Sequence, residues 1–301
     1  AIFPFELKKL YFFKILSLIG DNQTDYKSPI FDKEYFDERS IKRIWVSLKN
    51  HLPSHDVINF TNVPENIGLN KNPFLMAERF EPYSLSFFIN LSNKNNLNFI
   101  SKRSLKDLDR YTRRLSELGS FTFKEVKTED EFKKIIKFTI FQKIKRYKKT
   151  GGLNHLSKLE VQSFYKYLFK NKLIKFTPHL TYSSIDNEII ASHLGFYDAD
   201  RYYYYMPTFK EKYSKYSPGR ILLKNLISNS ISKKHKFFDL TIGEESYKEK
   251  WGANKMQIYQ FIEASSLKGI LLKIYFVLIN KIKKSPMLRF YYLKFKKFKV
   301  L

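Results

Sequence analysis

Cysteine is absent from this chain of 301 residues, and glycine and proline are scarce, with 10 of each. Without cysteine the protein has no disulfide framework, no thiolate zinc site and no cysteine nucleophile. The six histidines show no HExxH spacing, so the sequence predicts no metal centre. A chain without cysteine also fits a reducing compartment, and we expect a cytoplasmic protein.

The chain does not open with a long apolar run. Its first apolar stretch, Leu10 to Ile19, is interrupted by Lys14 and ends without a small-residue cleavage site. A secretory signal is therefore not predicted. The chain begins with Ala-Ile-Phe-Pro and not with Met, and we expect it to be a piece of a longer protein, shortened at its N-terminus.

Acidic residues are outnumbered, with 29 Asp and Glu against 55 Lys and Arg, which gives a formal net charge of +26. Such a charge attracts polyanions: nucleic acid, anionic lipid or phosphorylated small molecules. The basic residues are dispersed along the chain, a pattern typical of a lysine-rich proteome. The exception is 265–301, which has ten Lys or Arg residues and no acidic residue.

This basic segment, residues 265–301, also carries apolar residues at helical spacing. Two interpretations stay open: an interfacial helix on an anionic membrane, or a helix packed on the domain with solvated lysines. The first interpretation places the protein at the inner face of the membrane. The apolar positions are Leu267, Ile270, Leu271, Ile274, Leu278 and Ile282.

Three segments are predicted: an N-terminal α/β unit over 1–119, a second unit over 120–264 and the basic tail over 265–301. In the first unit, apolar spacing and alternation predict the local structure. Gly119 is expected to cap the last helix of this unit. The predicted elements are a helix over 33–51, strands over 57–60, 83–91 and 97–100, and a helix over 101–118.

The second unit is predicted to hold a mixed sheet flanked by helices, an α/β fold with an antiparallel meander at its centre. Thr128 and Glu131 have the spacing of a capping box at the start of one helix. Val161, Phe164, Tyr165 and Leu168 are predicted as the buried face of the next. The elements are strands over 121–126, 180–184, 188–196, 201–206, 236–241 and 257–262, and helices over 128–146, 158–171, 220–232 and 245–251.

A helix start in the second unit has the pattern of an anion site. Ser217-Pro218-Gly219 precedes a helix, where glycine leaves backbone N–H groups uncovered and the helix dipole adds positive charge. Arg220 and Lys224 follow within reach of the same anion. The alternative is an ordinary helix start, with Ser217 as N-cap and Pro218 at the first helical position.

A second motif follows downstream, Phe-Phe-Asp-Leu-Thr-Ile-Gly-Glu-Glu-Ser-Tyr-Lys-Glu-Lys-Trp-Gly over residues 237–252. With the Ser-Pro-Gly helix start, it resembles acetyltransferases associated with bacterial cellulose and exopolysaccharide biosynthesis, the BioF2-like branch of the GNAT superfamily. The pair Asp25-Tyr26 and the Arg-Arg-Leu…Leu-Gly run over 113–119 also match that pattern. The resemblance covers most of residues 15–263.

The resemblance implies two tandem GNAT-like units, of which the second holds an acyl donor, acetyl-CoA or another acyl-CoA. It implies an N-acyltransferase acting on an amino sugar or another cell-envelope or polysaccharide precursor, small or lipid-linked. One departure matters: a single Gly219 after Pro218 replaces the usual Gly-rich run. The distantly similar Fem-type peptidyltransferases take aminoacyl-tRNA. An aminoacyl-tRNA-dependent transferase and a non-catalytic nucleic-acid- or membrane-binding module therefore stay as alternatives.

Four residues are candidates for the transfer chemistry. His193 is a candidate base, or else a core histidine, and Asp239 orients a substrate amine or caps a strand end. Tyr247 and Lys248 are neighbours on a short helix and cannot share a face. We expect Lys248 to bind phosphate or stabilise the oxyanion, and Tyr247 to pack or to protonate the leaving thiolate.

Overall fold

The computed structural model describes residues 1–20, 23–32, 34, 37–150, 155–169, 176–285, 287–288 and 291–292. Strands and helices alternate along these ranges, which confirms the mixed α/β class. In chain order the main elements are β1 (Phe5–Leu10), β2 (Phe13–Leu18), α1 (Glu38–Lys49), β3 (Val57–Pro64), β4 (Asn66–Ile67), β5 (Asn70–Lys71), β6 (Glu81–Asn90), α2 (Lys102–Ser116), β7 (Phe121–Glu125), α3 (Glu129–Thr150), α4 (Leu159–Tyr167), β8 (Thr177–Ile185), β9 (Glu188–Tyr197), β10 (Arg201–Phe209), α5 (Pro218–Ser232), β11 (Phe237–Ile242), β12 (Asn254–Ala264) and α6 (Leu267–Lys284).

The chain divides into two compact units that are discontinuous in sequence. Unit 1 is Ala1–Ser86, Ile242–Glu244 and Lys255–Leu301, and unit 2 is Phe87–Thr241 and Glu245–Asn254. The predicted division into 1–119, 120–264 and 265–301 separates two GNAT-like units and a tail. The two compact units are defined by contacts within the structure, so they do not test that division. That division stays a prediction.

Unit 1 has a sheet packed against α1. β1 and β2 form an antiparallel hairpin, β2 runs parallel to β3, and β12 pairs antiparallel with β3. Asp37 caps α1 by accepting a hydrogen bond from the Ser40 backbone N–H at 2.8 Å. Trp45 of this helix is buried against the rings of Phe60 and Phe74, at 6.0 and 5.7 Å between centroids. Aromatic packing therefore dominates the core of unit 1.

Unit 2 has β7, β8, β9 and β10 in successive antiparallel pairs, with β11 parallel to β10. This confirms the predicted meander. Helices α3 and α4 cover one face, because Phe132, Ile136 and Tyr165 pack in one buried cluster with Leu194 and Met206 from the strands. The apolar residues of α3 recur at helical spacing, so this face is continuous.

Both predicted helix starts in this region are confirmed, with changes in detail. Ser101 caps α2 through its side chain, at 3.2 Å from the Ser104 backbone N. At α3 the Glu131 N–H donates to Thr128 at 3.3 Å, while the Glu131 carboxylate accepts from the backbone N–H of Lys127 and not of Thr128. The capping box thus closes one residue earlier than the usual pattern.

Several local predictions are wrong. Residues 97–100 form turns and not a strand, and the predicted helix over 245–251 is a turn followed by a short 3₁₀ helix, Glu249–Trp251. The C-cap of α2 is Glu117 and not Gly119. In α4, Phe164 is 50% exposed although Tyr165 beside it is buried. Residues 170–171 of the predicted helix over 158–171 lie outside the described residues.

Candidate functional site

The candidate site begins where two parallel strands of unit 2 separate. β10 and β11 pair over three residues, from Arg201 opposite Phe237 to Tyr203 opposite Asp239. β10 then continues to Phe209, and its register against β9 shifts between Tyr203 and Met206. The carboxyl ends of the two strands therefore diverge, and this is the end at which ligands bind in open α/β sheets.

The N-terminus of α5 follows β10 and has no capping side chain. Ser217 has left-handed backbone angles, φ 50 and ψ 48, and its side chain makes no cap hydrogen bond. Its carbonyl oxygen accepts from the backbone N–H groups of Arg220 and Ile221, at 2.9 and 3.2 Å. Pro218 is the first helical residue, and no acidic residue lies in the first turn. The positive end of the helix dipole is thus not neutralised by a carboxylate of its own first turn.

Gly219 lies close to the end of β10. A Cβ atom at this position would be 3.3 Å from Cδ1 of Phe209, which is tighter than ordinary van der Waals contact. Arg220, the next residue, is partly exposed on the same turn. The structure therefore brings Ser217, Gly219 and Arg220 together at one helix end, as the anion-site interpretation requires.

Lys224 is placed differently from the other three residues. Its Nζ lies 2.5 Å from Oδ1 of Asp109 on α2, one turn beyond the helix start. A lysine held in an ion pair with an exposed carboxylate stays solvated, and such pairs are worth at most about 1 kcal/mol. Its predicted role in donor binding stays a prediction.

Asp239 is buried at the end of β11, and both of its carboxylate oxygens are engaged. Oδ2 accepts from Nη1 of Arg201 at 2.7 Å, and Oδ1 accepts from the backbone N–H of Thr241 at 2.8 Å. Thr241 has φ +60, a conformation that is unfavourable for a β-branched residue. The carboxylate of Asp239 thus fixes a strained turn of the backbone at Thr241, inside β11 and one residue before its end.

Lys248 holds the other side of the same turn. Its side chain is 2% exposed, its Nζ donates to the Thr241 carbonyl oxygen at 3.1 Å, and Oε2 of Glu245 lies 2.9 Å away. The ring of Phe87 lies 5.5 Å from Nζ, within the range of a cation–π contact. Asp239 and Lys248 are therefore brought together through Thr241, one at its N–H and the other at its carbonyl.

Tyr247 is largely buried beside Lys248. Burial raises the pKa of its phenol, the negative charge of Glu245 adds to this, and Arg146 of α3 acts in the opposite direction. Burial raises the pKa of Tyr204 in the same way, with Tyr247 as the next cause. A phenol with a raised pKa keeps its proton at neutral pH, so Tyr247 is a neutral phenol and not a base.

His193 lies inside the sheet of unit 2 and has no exposed surface. Its ring stacks on Tyr204, with centroids 4.4 Å apart and planes 12° apart, and its Nδ1 lies 3.2 Å from the hydroxyl of Tyr202. Burial holds the pKa of His193 well below its usual value, with smaller effects of His179 and Lys143. The environment is that of the core-histidine interpretation.

His193 is one end of a chain of buried polar groups. The hydroxyl of Tyr202 lies 2.8 Å from Nδ1 of His179, and Nε2 of His179 lies 3.2 Å from Oε1 of Glu125, close but not aligned as a hydrogen bond. Gly195 makes room for these polar groups, because a Cβ there would be 2.4 Å from Cε1 of His193. The series of contacts runs from the partly exposed carboxylate of Glu125 to the fully buried imidazole of His193.

Among the residues that the structure describes, Nε2 of His193 has no hydrogen-bond partner.

Several contributors to the site were missed from the sequence. Arg201, Thr241 and Arg146 gave no signal, because their roles depend on contacts with distant residues. Glu245 did give one: an acidic residue three positions before Lys248 can meet it on one helical turn.

A model of a family described as an acetyltransferase (GNAT) domain matches residues 102–249. This range contains all eight of the candidate site residues. Comparison with curated proteins by sequence gives no match.

Two solved structures share the fold across most of this chain. One is FemX, with 10% identity, 86% of this chain and 84% of FemX covered, and a TM-score of 0.57. The other is the C-terminal domain of a putative lysylphosphatidylglycerol synthetase from Agrobacterium fabrum, with 12% identity, 91% and 85% covered, and a TM-score of 0.55. At these identities the likeness concerns the fold alone.

Proposed function

We propose that the protein is an N-acyltransferase that takes its acyl group from acetyl-CoA or another acyl-CoA, in line with the match of residues 102–249 to a GNAT acetyltransferase domain. The single observation that carries the proposal is the N-terminus of α5, which no side chain caps and which lies close to the end of β10. Members of the GNAT family typically use an acyl-CoA donor. The acyl thioester would supply the activated carbonyl.

The start of α5 suits the phosphates of such a donor. The dipole of the helix favours an anion, and the backbone N–H of Gly219 is the donor of the first turn that the Ser217 carbonyl does not engage. Arg220 adds a charged donor at the same turn. Gly219 permits close approach of backbone to ligand. The left-handed backbone of Ser217 orients the turn that leads into α5. Lys224 adds positive charge one helical turn further along, where it is paired with Asp109.

Four residues divide the chemistry in this proposal. The amine nitrogen forms a bond to the thioester carbon as the carbon–sulfur bond breaks. Tyr247 gives its phenolic proton to the leaving thiolate and regains one from the nitrogen. Lys248 places a buried positive charge near the developing oxyanion. Asp239 acts by positioning, because it holds the turn at Thr241 on which Lys248 is fixed.

His193 acts by positioning as well. Its buried ring stacks on the ring of Tyr204. Burial raises the pKa of Tyr204, and Tyr247 raises it further. Removing the imidazole would leave a cavity under the site and shift Tyr204. An effect of His193 on turnover would then pass through the placement of Tyr247 and not through proton abstraction.

The acceptor in this proposal is an amino sugar or another precursor of the cell envelope or of a polysaccharide, small or lipid-linked. The support is the sequence resemblance over residues 237–252. An amine acceptor is itself a nucleophile, so its attack on the thioester carbonyl needs no covalent enzyme intermediate. A cytoplasmic site facing the inner membrane would meet such precursors.

The test is release of free thiol from acetyl-CoA in the presence of glucosamine or another amino sugar. Because the chain has no cysteine, a thiol reagent reports only the coenzyme A that is set free. Thermal stabilisation by coenzyme A provides a second readout that does not depend on the acceptor. If the protein releases no thiol and is not stabilised by coenzyme A, the proposal is contradicted.

An aminoacyl-tRNA-dependent transferase is the second candidate. The net charge of +26 and the fold shared with FemX favour it. Stabilisation of the protein by tRNA but not by coenzyme A, lost steeply as salt rises, would support this candidate over the first. Stabilisation by tRNA or by lipid with no transfer activity would favour a non-catalytic binding module.

A further inference from the structure

Helix α6 of unit 1 packs on the unit through one narrow face. Gly269 lies so close to the backbone of Asp56 that a Cβ atom would be 1.8 Å from its carbonyl oxygen. Leu272 is buried with Val57, and Phe276 packs against the same cluster. Asn280 donates to Oε1 of Gln260 at 2.9 Å. These contacts fix α6 along one side only.

The opposite face of α6 is apolar and exposed. Leu271 at its centre is 66% exposed, which is unusual for a leucine of an ordered helix. The stripe predicted from the sequence is this outward face, and the contacts with the unit come from other residues. Its exposed members are Leu267, Ile270, Leu271, Ile274 and Leu278, with Tyr275 beside them.

A second exposed apolar feature adjoins the helix. The turn between β1 and β2 carries Tyr11 and Phe12, which are 90% and 70% exposed. The ring of Phe12 lies 4.3 Å from that of Phe13, and Phe13 packs in the cluster that holds Leu272 and Phe276 of α6. The hairpin tip therefore lies beside α6 in unit 1.

Basic side chains surround this surface. Lys9 and Lys14 are exposed cross-strand neighbours next to the hairpin tip, and Lys268, Lys273 and Lys281 are exposed along α6. The chain carries no acidic residue from 265 to 301. Symmetric pairing with a second copy would bring these lysines against each other, which costs free energy.

We propose that the outward face of α6 and the hairpin tip at Tyr11 and Phe12 dock together on an anionic lipid bilayer. The apolar side chains enter the boundary between headgroups and acyl chains, and the lysines contact lipid phosphates. Among the described residues no helix is long and apolar enough to cross a membrane. The proposal does not depend on the transfer chemistry.

The test uses the whole chain with vesicles of phosphatidylcholine alone and of phosphatidylcholine with phosphatidylglycerol. We expect co-sedimentation with the anionic vesicles at low salt and its loss at high salt. Binding to neither, or equal binding to both, would overturn the proposal.

Variants separate the surface from the net charge. We expect Leu271→Ser with Leu278→Ser, and separately Tyr11→Ser with Phe12→Ser, to weaken binding to anionic vesicles by about tenfold or more. Leu69→Ser is the matched control, because Leu69 is 83% exposed in the same unit but away from these elements, in the turn between β4 and β5. Equal binding by all variants would overturn the proposal.

Insertion is tested by placing a tryptophan at the tip. The two native tryptophans, Trp45 and Trp251, are both buried, so Phe12→Trp adds an exposed reporter. We expect its emission to shift to shorter wavelength with anionic vesicles and to be quenched by brominated acyl chains. This variant keeps an aromatic residue and so tests the tip even if the serine variants fold poorly.

Self-association is the competing outcome. If sedimentation velocity shows a dimer that Leu271→Ser converts to a monomer, while vesicle binding is unchanged, the face binds a second copy and the membrane proposal is wrong. A monomer whose vesicle binding falls in the same variant supports it.

Discussion

Two points of unit 2, the start of α5 and Thr241 of β11, differ in how their backbone groups are satisfied. At α5 no side chain caps the helix and no acidic residue lies in the first turn. The Ser217 carbonyl accepts from the N–H groups of Arg220 and Ile221, which leaves the N–H of Gly219 for a ligand. At Thr241 both backbone groups are held by charged side chains, those of Asp239 and Lys248. One point keeps a backbone donor for a ligand, and the other is fully engaged.

This difference separates a binding element from a positioning element. An uncapped helix N-terminus costs stability unless water or a ligand satisfies its N–H groups, so it is suited to an anion that comes and goes. A strained turn held by two buried charges is rigid, and rigidity fixes the side chains that follow, Tyr247 among them. The predictions below test the rigid point first.

Asp239→Ala should have the largest effect, on stability. It leaves the largely buried guanidinium of Arg201 without its carboxylate, and breaking such a pair costs about 3–5 kcal/mol. Urea unfolding measures the loss. The matched control is Asp109→Ala, whose exposed pair with Lys224 is worth at most about 1 kcal/mol. Equal losses in the two variants would mean that Asp239 does not hold the turn.

Lys248→Ala should lower kcat by about a hundredfold, the scale of one lost oxyanion donor, with little change in the KM of the donor. Lys250→Ala is the control, because Lys250 lies two residues on and is exposed. Steady-state kinetics and a thermal melt are both needed. Normal turnover together with a lowered melting temperature would show that Lys248 is structural alone.

A smaller effect is expected on the acid side of the stability profile. The contact with His179 lowers the pKa of Glu125 from 4.5 to about 2, against the effect of burial. Stability from this group is therefore present above pH 4.5 and is lost as the pH falls toward 2. Glu125→Gln should flatten this part of the profile, measured by urea unfolding at several pH values. Glu117→Gln, at an exposed position, should not.

The local features of the fold were predictable from the sequence because their causes are local. The meander over β8, β9 and β10 follows from alternation and short turns, and α2 follows from its leucine spacing and Ser101. Residues 97–100 were predicted as a strand because apolar and polar residues alternate there. Over four residues such alternation also arises by chance. In α4, Phe164 and Tyr165 are adjacent, and only packing decides which of them is buried.

The site was only partly predictable, because its geometry depends on long-range contacts. The start of α5 is visible in Ser217, Pro218 and Gly219, whose backbone preferences are local. Nothing in the sequence tells that Lys224 pairs with Asp109, 115 residues away, or that Thr241 adopts a positive φ. In α6 the spacing of apolar residues predicted which of them share one face, and the structure shows that this face is exposed. The spacing alone does not tell whether such a face packs on the protein or points outward.

Calorimetric titration of coenzyme A into the parent protein and into Gly219→Val tests the central claim most directly. A branched side chain at this position crowds Phe209 beside the start of α5. Arg220→Ala serves as a second variant, since it removes a charged donor without crowding and should keep the parent melting temperature. The account predicts that both variants bind coenzyme A at least about tenfold more weakly than the parent. Unchanged affinity in both would contradict it.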